Sequence, residues 1–193
     1  MTEILKNRRT PDRVTPLKKA VLHMFIITAF GALLGFASKM FDIYTVLLGD
    51  IFSQMSVWIF ICTVIAVYGS TPKRAGVNVF FFCAGMLTAY YLTAELTGSV
   101  YSVSFIYGWG VFALFSPAMG FCAWYAKGKG ALSKIITCGI VVLLFIAAAV
   151  MFDKIRTADI VFALLIIAVL QINGRKKLKK KERRYVVTED ERI

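Results

Sequence analysis

The sequence AGMLTAYYLTAELTGSVYSVSFIY, residues 84–107, decides the fold of this chain. Its pattern predicts the end of one apolar helix, a turn of about six residues and the start of the next helix. Ala84, Thr88, Tyr91 and Glu95 follow one another at spacings of four, three and four residues, which places them on one helical face. That face becomes more polar toward the turn and ends in a carboxylate, so it is the natural place to look for a function.

Composition extends this helical hairpin to the whole chain. Of the 193 residues, 59% are hydrophobic, which is well above the share of about 45–50% in soluble domains. A helical span needs roughly 20 apolar residues, so the length accommodates about six spans and no separate soluble domain. We therefore predict an all-α polytopic membrane protein with six transmembrane helices.

Charge predicts the orientation of these spans. The net charge is +12, but the basic residues concentrate at the two ends of the chain and in two short turns. If both termini are cytoplasmic, only Lys39, Lys154 and Arg156 of the 23 Lys and Arg residues lie outside. This distribution follows the positive-inside rule for short loops and is not the footprint of a nucleic-acid-binding protein. We predict both termini inside and no nucleic-acid partner.

Three segments follow from this topology. Residues 1–16 form a basic cytoplasmic arm, residues 17–173 form the six-helix transmembrane domain, and residues 174–193 form a basic and then acidic cytoplasmic tail. The tail is expected to attract anionic lipid of the inner leaflet. The predicted spans are about residues 17–38, 51–68, 73–96, 101–125, 131–152 and 157–173.

Residues 39–50, KMFDIYTVLLGD, do not fit the span pattern. They are too few to cross a bilayer and too apolar for a free loop. Two interpretations stay open: the segment lies in the outer interface, or it dips back into the bundle.

Polar residues near the outer ends of the spans are candidates for lining an outward-facing cavity. An ionisable group within a span marks a functional site by default, and Glu95 is the carboxylate nearest to that depth. The alternative for Glu95 is a solvated carboxylate at the rim that pairs with an outer Lys or Arg, and the alternative for the tyrosines is an interfacial aromatic belt. The candidate ligand-binding residues are Glu95, Tyr91, Thr88, Gln54 and Tyr107.

Small residues at helical spacing predict close helix packing. In the first span they form a GxxxG stripe, and in the fourth they surround a proline that is expected to bend the helix. The stripe serves packing within the bundle or, alternatively, contact with a partner subunit or a second copy. The candidate packing residues are Gly31, Gly35 and Ser38 in the first span and Gly110, Ala113, Pro117 and Gly120 in the fourth.

Catalytic and metal-binding patterns are weak in this sequence. The single histidine, His23, lies at the cytoplasmic end of the first span, on the opposite side from the outer acids. No HExxH motif and no paired metal-ligand spacing occur, and the four cysteines, all inside apolar blocks, are expected to act as small buried hydrophobes. We predict no enzyme, no metal and no cofactor.

Two fragments carry a family resemblance. STPKRAGVNVFFFCAGMLTAYYLTAEL (residues 70–96) and SPAMGFCAWYAKGKG (residues 116–130) resemble a bacterial family of small six-span membrane proteins of unknown function. The resemblance implies six spans and a bacterial plasma membrane, and it supplies no site residues. In architecture the chain is also similar to the S components of energy-coupling-factor transporters. That similarity implies that the small residues from Gly31 to Ser38 dock a coupling subunit.

Together these observations predict a non-enzymatic membrane protein that binds or transports a small solute through an outward-facing cavity. The alternative is an accessory or immunity-type subunit that acts by helix–helix interaction with another membrane protein.

Overall fold

The structure is a computed structural model that describes residue 9 and residues 16–128 and 130–171. The described part of the chain is all-helical and contains no strand. The predicted tail, and the predicted arm except Arg9 and Pro16, lie outside the described residues. The seven helices, counted within the described residues, are α1 (Leu17–Tyr44), α2 (Val46–Phe52), α3 (Met55–Tyr68), α4 (Pro72–Leu96), α5 (Val103–Ala126), α6 (Ala131–Phe152) and α7 (Thr157–Gln171).

Helix α1 is longer than the sequence pattern predicts. It continues past Ser38 to Tyr44, so the predicted end of the first span is wrong. No glycine or proline interrupts this stretch, and the Lys39 ammonium pairs with the Asp42 carboxylate at 2.7 Å, one turn further along the helix. The helix ends at Tyr44, and the backbone of the next residue, Thr45, is extended.

The second span is broken at its beginning. Helices α2 and α3 are separated by residues 53–54 and meet at an angle of 56°, as in a broken span or a re-entrant loop. The predicted start of this span at Ile51 is wrong, because the continuous helix begins at Met55. Gly49 allows α2 to lie close to α1, since an added Cβ would stand 2.9 Å from the Cα of Asp42.

Local sequence signals explain two helix starts. At α4 the Thr71 side chain accepts a hydrogen bond from the backbone N–H of Arg74, and Pro72 occupies the first turn, as the Thr-Pro pair predicts. At α7, which begins at Thr157, the first-turn carboxylate of Asp159 accepts a 2.8 Å hydrogen bond from the backbone N–H of Arg156, the residue before the helix.

Helix α4 lies at the centre of the bundle, and glycines allow close approach of the backbones at its contacts with α1 and with α5. Toward α1, a Cβ added to Gly31 or Gly35 would overlap the backbone carbonyl of Phe82 or Met86, and one added to Gly85 would overlap that of Thr28. These contacts bring the two backbones together, as small residues do between membrane helices.

Toward α5, Gly76 approaches the Pro117 carbonyl, where an added Cβ would stand 2.5 Å from the oxygen. A Cβ on Gly120 would stand 3.0 Å from a methyl group of Val79. Among the predicted packing residues, Gly110 is the exception: it is exposed, and an added Cβ would meet no described atom within 4 Å. The prediction that Gly110 packs against a neighbouring helix is therefore wrong within this chain.

Pro117 lies within α5, and the helix continues through it. A proline has no N–H, so the carbonyl four residues earlier, that of Ala113, loses its helical partner. The hydroxyl of Ser116 donates a hydrogen bond of 2.7 Å to this carbonyl. Ser116 thereby satisfies the group that Pro117 leaves open, as hydroxyl side chains do in membrane helices.

Four helices, α1, α4, α5 and α6, are long and apolar enough to cross a membrane, and the bent pair α2–α3 brings the number to as many as five. Helix α7 is a shorter apolar helix over its described length. These helices are compatible with a multi-pass membrane protein.

We name the two ends of the bundle by what they carry. The arm end holds Arg9, the α3–α4 turn (residues 69–71) and the turn that follows α5 (residues 127–130). The hairpin end holds the α4–α5 turn (residues 97–102) and the break between α2 and α3. The arm end contains the turns predicted to be cytoplasmic, and the hairpin end contains those predicted to be outside.

Candidate functional site: the hairpin-end cavity

A cavity of about 220 Å³ lies at the hairpin end between α3, α4 and α5. It is smaller than the roughly 300–1,000 Å³ typical of sites for drug-sized ligands, so it suits a small solute. Its polar lining groups are mainly hydroxyls, including those of Ser38, Ser53 and Ser102. Aromatic side chains dominate its wall: Phe52, Trp58, Tyr90, Tyr91, Tyr101, Phe105, Trp109 and Phe152.

Trp58 forms the buried side of the cavity. It lies in the first turn of α3, and its indole N–H donates a 2.8 Å hydrogen bond to the carbonyl of Phe52, at the end of α2. The bond spans the break between the helices and fixes the indole ring. Trp109 on α5 meets this ring edge to face, with ring centroids 6.4 Å apart. Because the Trp58 N–H is already satisfied, the cavity wall here is apolar and rigid.

Three tyrosines form the side nearest the α4–α5 turn. Tyr90 and Tyr91 contact each other edge to face with centroids 5.3 Å apart, although they are neighbours on α4. Tyr91 then meets Tyr101 of the turn at 5.5 Å. The aromatic contacts connect the end of α4 to the turn and close one side of the opening.

The rim carries two carboxylates, and each accepts a hydrogen bond from a tyrosine of the wall. The Tyr90 hydroxyl donates to Asp42 at 3.4 Å, and the Tyr101 hydroxyl donates a short bond to Glu95. The bond to Glu95 raises the pKa of Tyr101 above its ordinary value, because a hydroxyl that donates to a carboxylate loses its proton less readily.

Lys39 is the most deeply buried charge near this site, with 1% of its surface exposed. Its ammonium group is neutralised by Asp42 at 2.7 Å and lies over the Tyr90 ring, 5.1 Å from the centroid. A buried lysine is tolerated only when it is paired in this way. Lys39 is therefore linked to the cavity wall in two ways: it pairs with Asp42, which accepts the Tyr90 hydrogen bond, and its ammonium group lies over the Tyr90 ring.

The structure brings only part of the predicted ligand-binding set together. Tyr91 lines the cavity, and Glu95 lies at its rim through Tyr101. Thr88 is exposed and does not line the cavity, and Tyr107, 72% exposed, lies on the outer surface of α5. The prediction that Thr88 and Tyr107 share the cavity with Tyr91 is wrong, because their positions on α4 and α5 turn them away from it.

Gln54 is the fifth member of the predicted set. It does not line the cavity but lies at the break between α2 and α3, 4% exposed. Its Oε1 atom has no hydrogen-bond partner among the described residues. The same holds for the Ser56 hydroxyl and one oxygen of Asp159, so buried polar atoms without partners concentrate toward the hairpin end.

The alternative for Glu95, an ion pair with an outer Lys or Arg, is not what the described residues form. Lys39 pairs with Asp42, and the Arg156 guanidinium lies 3.5 Å from the Asp50 carboxylate. The partner of Glu95 is instead an uncharged hydroxyl.

Residues that sequence reasoning missed come mainly from two places. The first place is the break between α2 and α3, where Phe52 and Ser53 lie. No periodic pattern in the sequence predicts this break. The second place is α5, where Phe105 precedes Trp109 by four residues, a spacing that puts both rings on one helical face and can be recognised in the sequence.

A second, more apolar cavity of about 380 Å³ lies between α3, α5 and α6. Small residues, among them Gly120, Ala123 and Gly139, line it together with aliphatic side chains. We call it the α5–α6 groove. It offers few polar groups to a solute, in contrast to the hairpin-end cavity.

Cysteines and possible metal ligands give no further site. Cys62 and Cys83 are buried with their sulfur atoms 3.6 Å apart. Cys122 and Cys138 are exposed, so the prediction that all four cysteines are buried is wrong for these two. Within residues 16–128 and 130–171, no three His, Cys, Asp or Glu side chains come together in a metal-binding group.

No family model, no curated protein and no solved structure matches this chain. The two resemblances drawn from sequence fragments and architecture therefore stay predictions.

Proposed function

We propose that this chain is a small six-span protein of the bacterial plasma membrane with both termini in the cytoplasm. Four long apolar helices and the bent α2–α3 pair support most of these spans, and α7 supplies the sixth. The orientation is supported by the positive charge of the arm end. Arg9 and Lys127 contact the end of α3, and Arg74 lies in the first turn of α4, directly after the α3–α4 turn.

Within this topology we infer that the protein binds or transports a small solute, and that the solute binds in the hairpin-end cavity. One observation carries the proposal: a cavity of about 220 Å³ with a rigid aromatic wall opens beside two carboxylates on the side predicted to face outward. Concave, mostly apolar sites with a few convergent polar groups are typical of small-molecule binding. The function is non-catalytic in this proposal.

The test is ligand-induced thermal stabilisation of the purified full chain. A panel of small amines, amino acids, sugars and neutral aromatics is screened against the wild type, Tyr91→Ala and Tyr107→Ala. We expect at least one solute to raise the melting temperature of the wild type and of Tyr107→Ala, and to lose this effect in Tyr91→Ala. The two substitutions remove the same side chain, but only Tyr91 lines the cavity.

Two results would contradict the proposal. One is a panel in which no solute stabilises the wild type. The other is a solute whose stabilising effect survives in Tyr91→Ala, which would place the binding elsewhere.

The alternative function is a partner subunit that acts by helix packing. The Gly31 and Gly35 stripe does not favour it, because α4 covers both glycines within the chain. The α5–α6 groove does favour it: Gly139 lines that groove, and a Cβ added there would meet no described atom within 4 Å. In this alternative Gly139→Leu fills the groove and abolishes co-purification of a partner or a second copy, whereas Gly110→Leu leaves it intact.

A further inference from the structure

We propose that the hairpin-end cavity selects an organic cation that carries a methylated ammonium group. This inference rests on the solute-binding function proposed above and names the chemical class of the solute. It follows from the charges of the wall and the rim and from the hydrogen-bonding groups that the cavity offers.

The wall favours cations over anions. No charged side chain is among the described residues that line the cavity, and eight of the lining side chains are aromatic. The face of an aromatic ring carries partial negative charge, so it attracts a cation and repels an anion. In a desolvated site with several rings this attraction is at its strongest.

The rim adds negative charge. Asp42 and Glu95 each hold a hydroxyl of the aromatic wall, and only Asp42 has a cationic partner, Lys39, among the ion pairs of the described residues. The Glu95 carboxylate accepts a hydrogen bond from the uncharged Tyr101 hydroxyl, and among the ion pairs of the described residues no cation neutralises it. A cation that enters the cavity past the α4–α5 turn therefore passes the negatively charged Glu95 carboxylate and is attracted by it.

Hydrogen bonding distinguishes a methylated ammonium from a primary amine. A buried primary ammonium has three N–H donors to satisfy, and the described residues that line the cavity offer only uncharged hydroxyl acceptors and no carboxylate. A quaternary ammonium has no N–H and loses no hydrogen bond when it enters an aromatic site. It is the cation that this wall accommodates at the smallest desolvation cost.

The protein already uses one of these rings for an ammonium group. The Lys39 ammonium lies over Tyr90 at 5.1 Å from the ring centroid, within the roughly 6 Å of a cation–π contact. Lys39 does not itself line the cavity, so the space enclosed by Trp58, Trp109 and Tyr91 is left for a solute.

The experiment compares choline with 3,3-dimethyl-1-butanol, its uncharged carbon isostere, by titration calorimetry on the full chain in detergent or nanodiscs. We expect choline to bind at least about tenfold more tightly than the isostere, since the two differ only in charge. Glu95→Gln keeps the fold, because Glu95 is exposed, and it should weaken choline binding while leaving that of the isostere unchanged. Tyr91→Leu should weaken both, with Tyr107→Leu as the matched control.

Equal affinity for choline and the isostere overturns the cation inference, yet the proposed function stands if Tyr91→Leu weakens both. Absence of choline binding while another class of solute stabilises the protein in a Tyr91-dependent way also overturns only the cation inference. Absence of any stabilising solute, with choline included in the panel, overturns the proposed function together with it.

Discussion

The two ends of the bundle are built from similar residues but packed in opposite ways. At the arm end the Arg9 guanidinium lies 4.2 Å from the centroid of the Trp124 ring and donates hydrogen bonds to the carbonyls of Val67 and Trp124. Trp124 has no exposed surface, and its indole N–H donates to Gly69 at 2.7 Å. At the hairpin end Trp58 and Trp109 leave a cavity between them and the tyrosines.

The two ends differ in which groups bond the backbone carbonyls at the helix ends and which groups cover the faces of the aromatic rings. At the arm end a cationic side chain of the protein fills the space over the Trp124 ring and bonds the last carbonyls of α3 and α5, where a helix terminus favours positive charge. Lys127 repeats this arrangement over Tyr68, at 4.5 Å. Partial burial and the nearby charge of Arg9 lower the pKa of Lys127. At the hairpin end the aromatic side chains of Trp58, Trp109 and Tyr91 line a cavity instead.

This comparison supports a division of roles. The arm end is closed by the chain itself and serves structure, whereas the hairpin end retains a cavity and buried polar atoms that have no partner among the described residues. Binding sites commonly keep such groups at a cost in stability. If the two ends differ in this way, substitutions at the arm end cost more stability than substitutions at the hairpin end.

The largest effect is expected in the α1–α4 contact, which supports both ends. In Gly35→Leu the new side chain would overlap the Met86 carbonyl, and backbone cannot move aside as a side chain can. We expect a loss of about 3 kcal/mol or more in stability, measured by thermal unfolding in detergent, or failure to fold. The control is Gly110→Leu, whose site is open and whose stability should stay close to that of the wild type. Similar losses in both variants would contradict the described packing.

The second-largest loss of stability is expected when the Arg9 guanidinium is removed from the arm end. Arg9→Ala leaves the Val67 and Trp124 carbonyls without this charged donor, and the expected loss is about 1.5–3 kcal/mol. Arg9→Lys should recover only part of it, because an ammonium group lacks the planar fork that serves several carbonyls and stacks on the indole. Tryptophan emission should shift to longer wavelength as water reaches Trp124. Unchanged stability and emission would show that the arm end is not closed by Arg9.

A smaller change is expected at the hairpin end. Gln54→Met replaces a buried oxygen that lacks a partner among the described residues with an apolar group of similar size. Stability should change by less than about 1 kcal/mol or increase, because the substitution removes an unsatisfied polar atom. A loss as large as that of Arg9→Ala, measured in the same unfolding assay, would mean that the hairpin end is as fully bonded as the arm end.

The smallest effect is spectroscopic. The bond to Glu95 raises the pKa of Tyr101 above 10.0, so Tyr101 should ionise later than an exposed tyrosine as the pH rises. Glu95→Gln removes the carboxylate and should return this ionisation toward pH 10. The difference between each protein and its Tyr101→Phe partner, followed by phenolate absorbance, isolates the one group. Identical titrations with Glu95 and Gln would show that the bond is not formed.

Sequence reasoning anticipated the helical class, most of the helices, the Thr71-Pro72 start of α4 and the close packing at Gly31 and Gly35, because apolar periodicity and small-residue spacing act locally. It also singled out Tyr91 and Glu95, since their polarity near a span end is unusual.

The remaining features depend on tertiary structure. The extension of α1 to Tyr44 follows from the Lys39–Asp42 pair and from contact with Tyr90, a residue 48 positions later than Asp42. Thr88 and Tyr107 lie at plausible depths, but the rotation of a helix about its axis is set by its neighbours. The break at Ser53 and Gln54 has no glycine or proline to announce it.

An experimental structure of the full chain, prepared with a solute that raises its melting temperature, tests the central claim most directly. We predict density for one small molecule at the hairpin end, in contact with Trp58, Trp109 and Tyr91, while Arg9 still covers Trp124 at the arm end. Density for the solute in the α5–α6 groove, with the hairpin-end cavity unoccupied, would contradict this account.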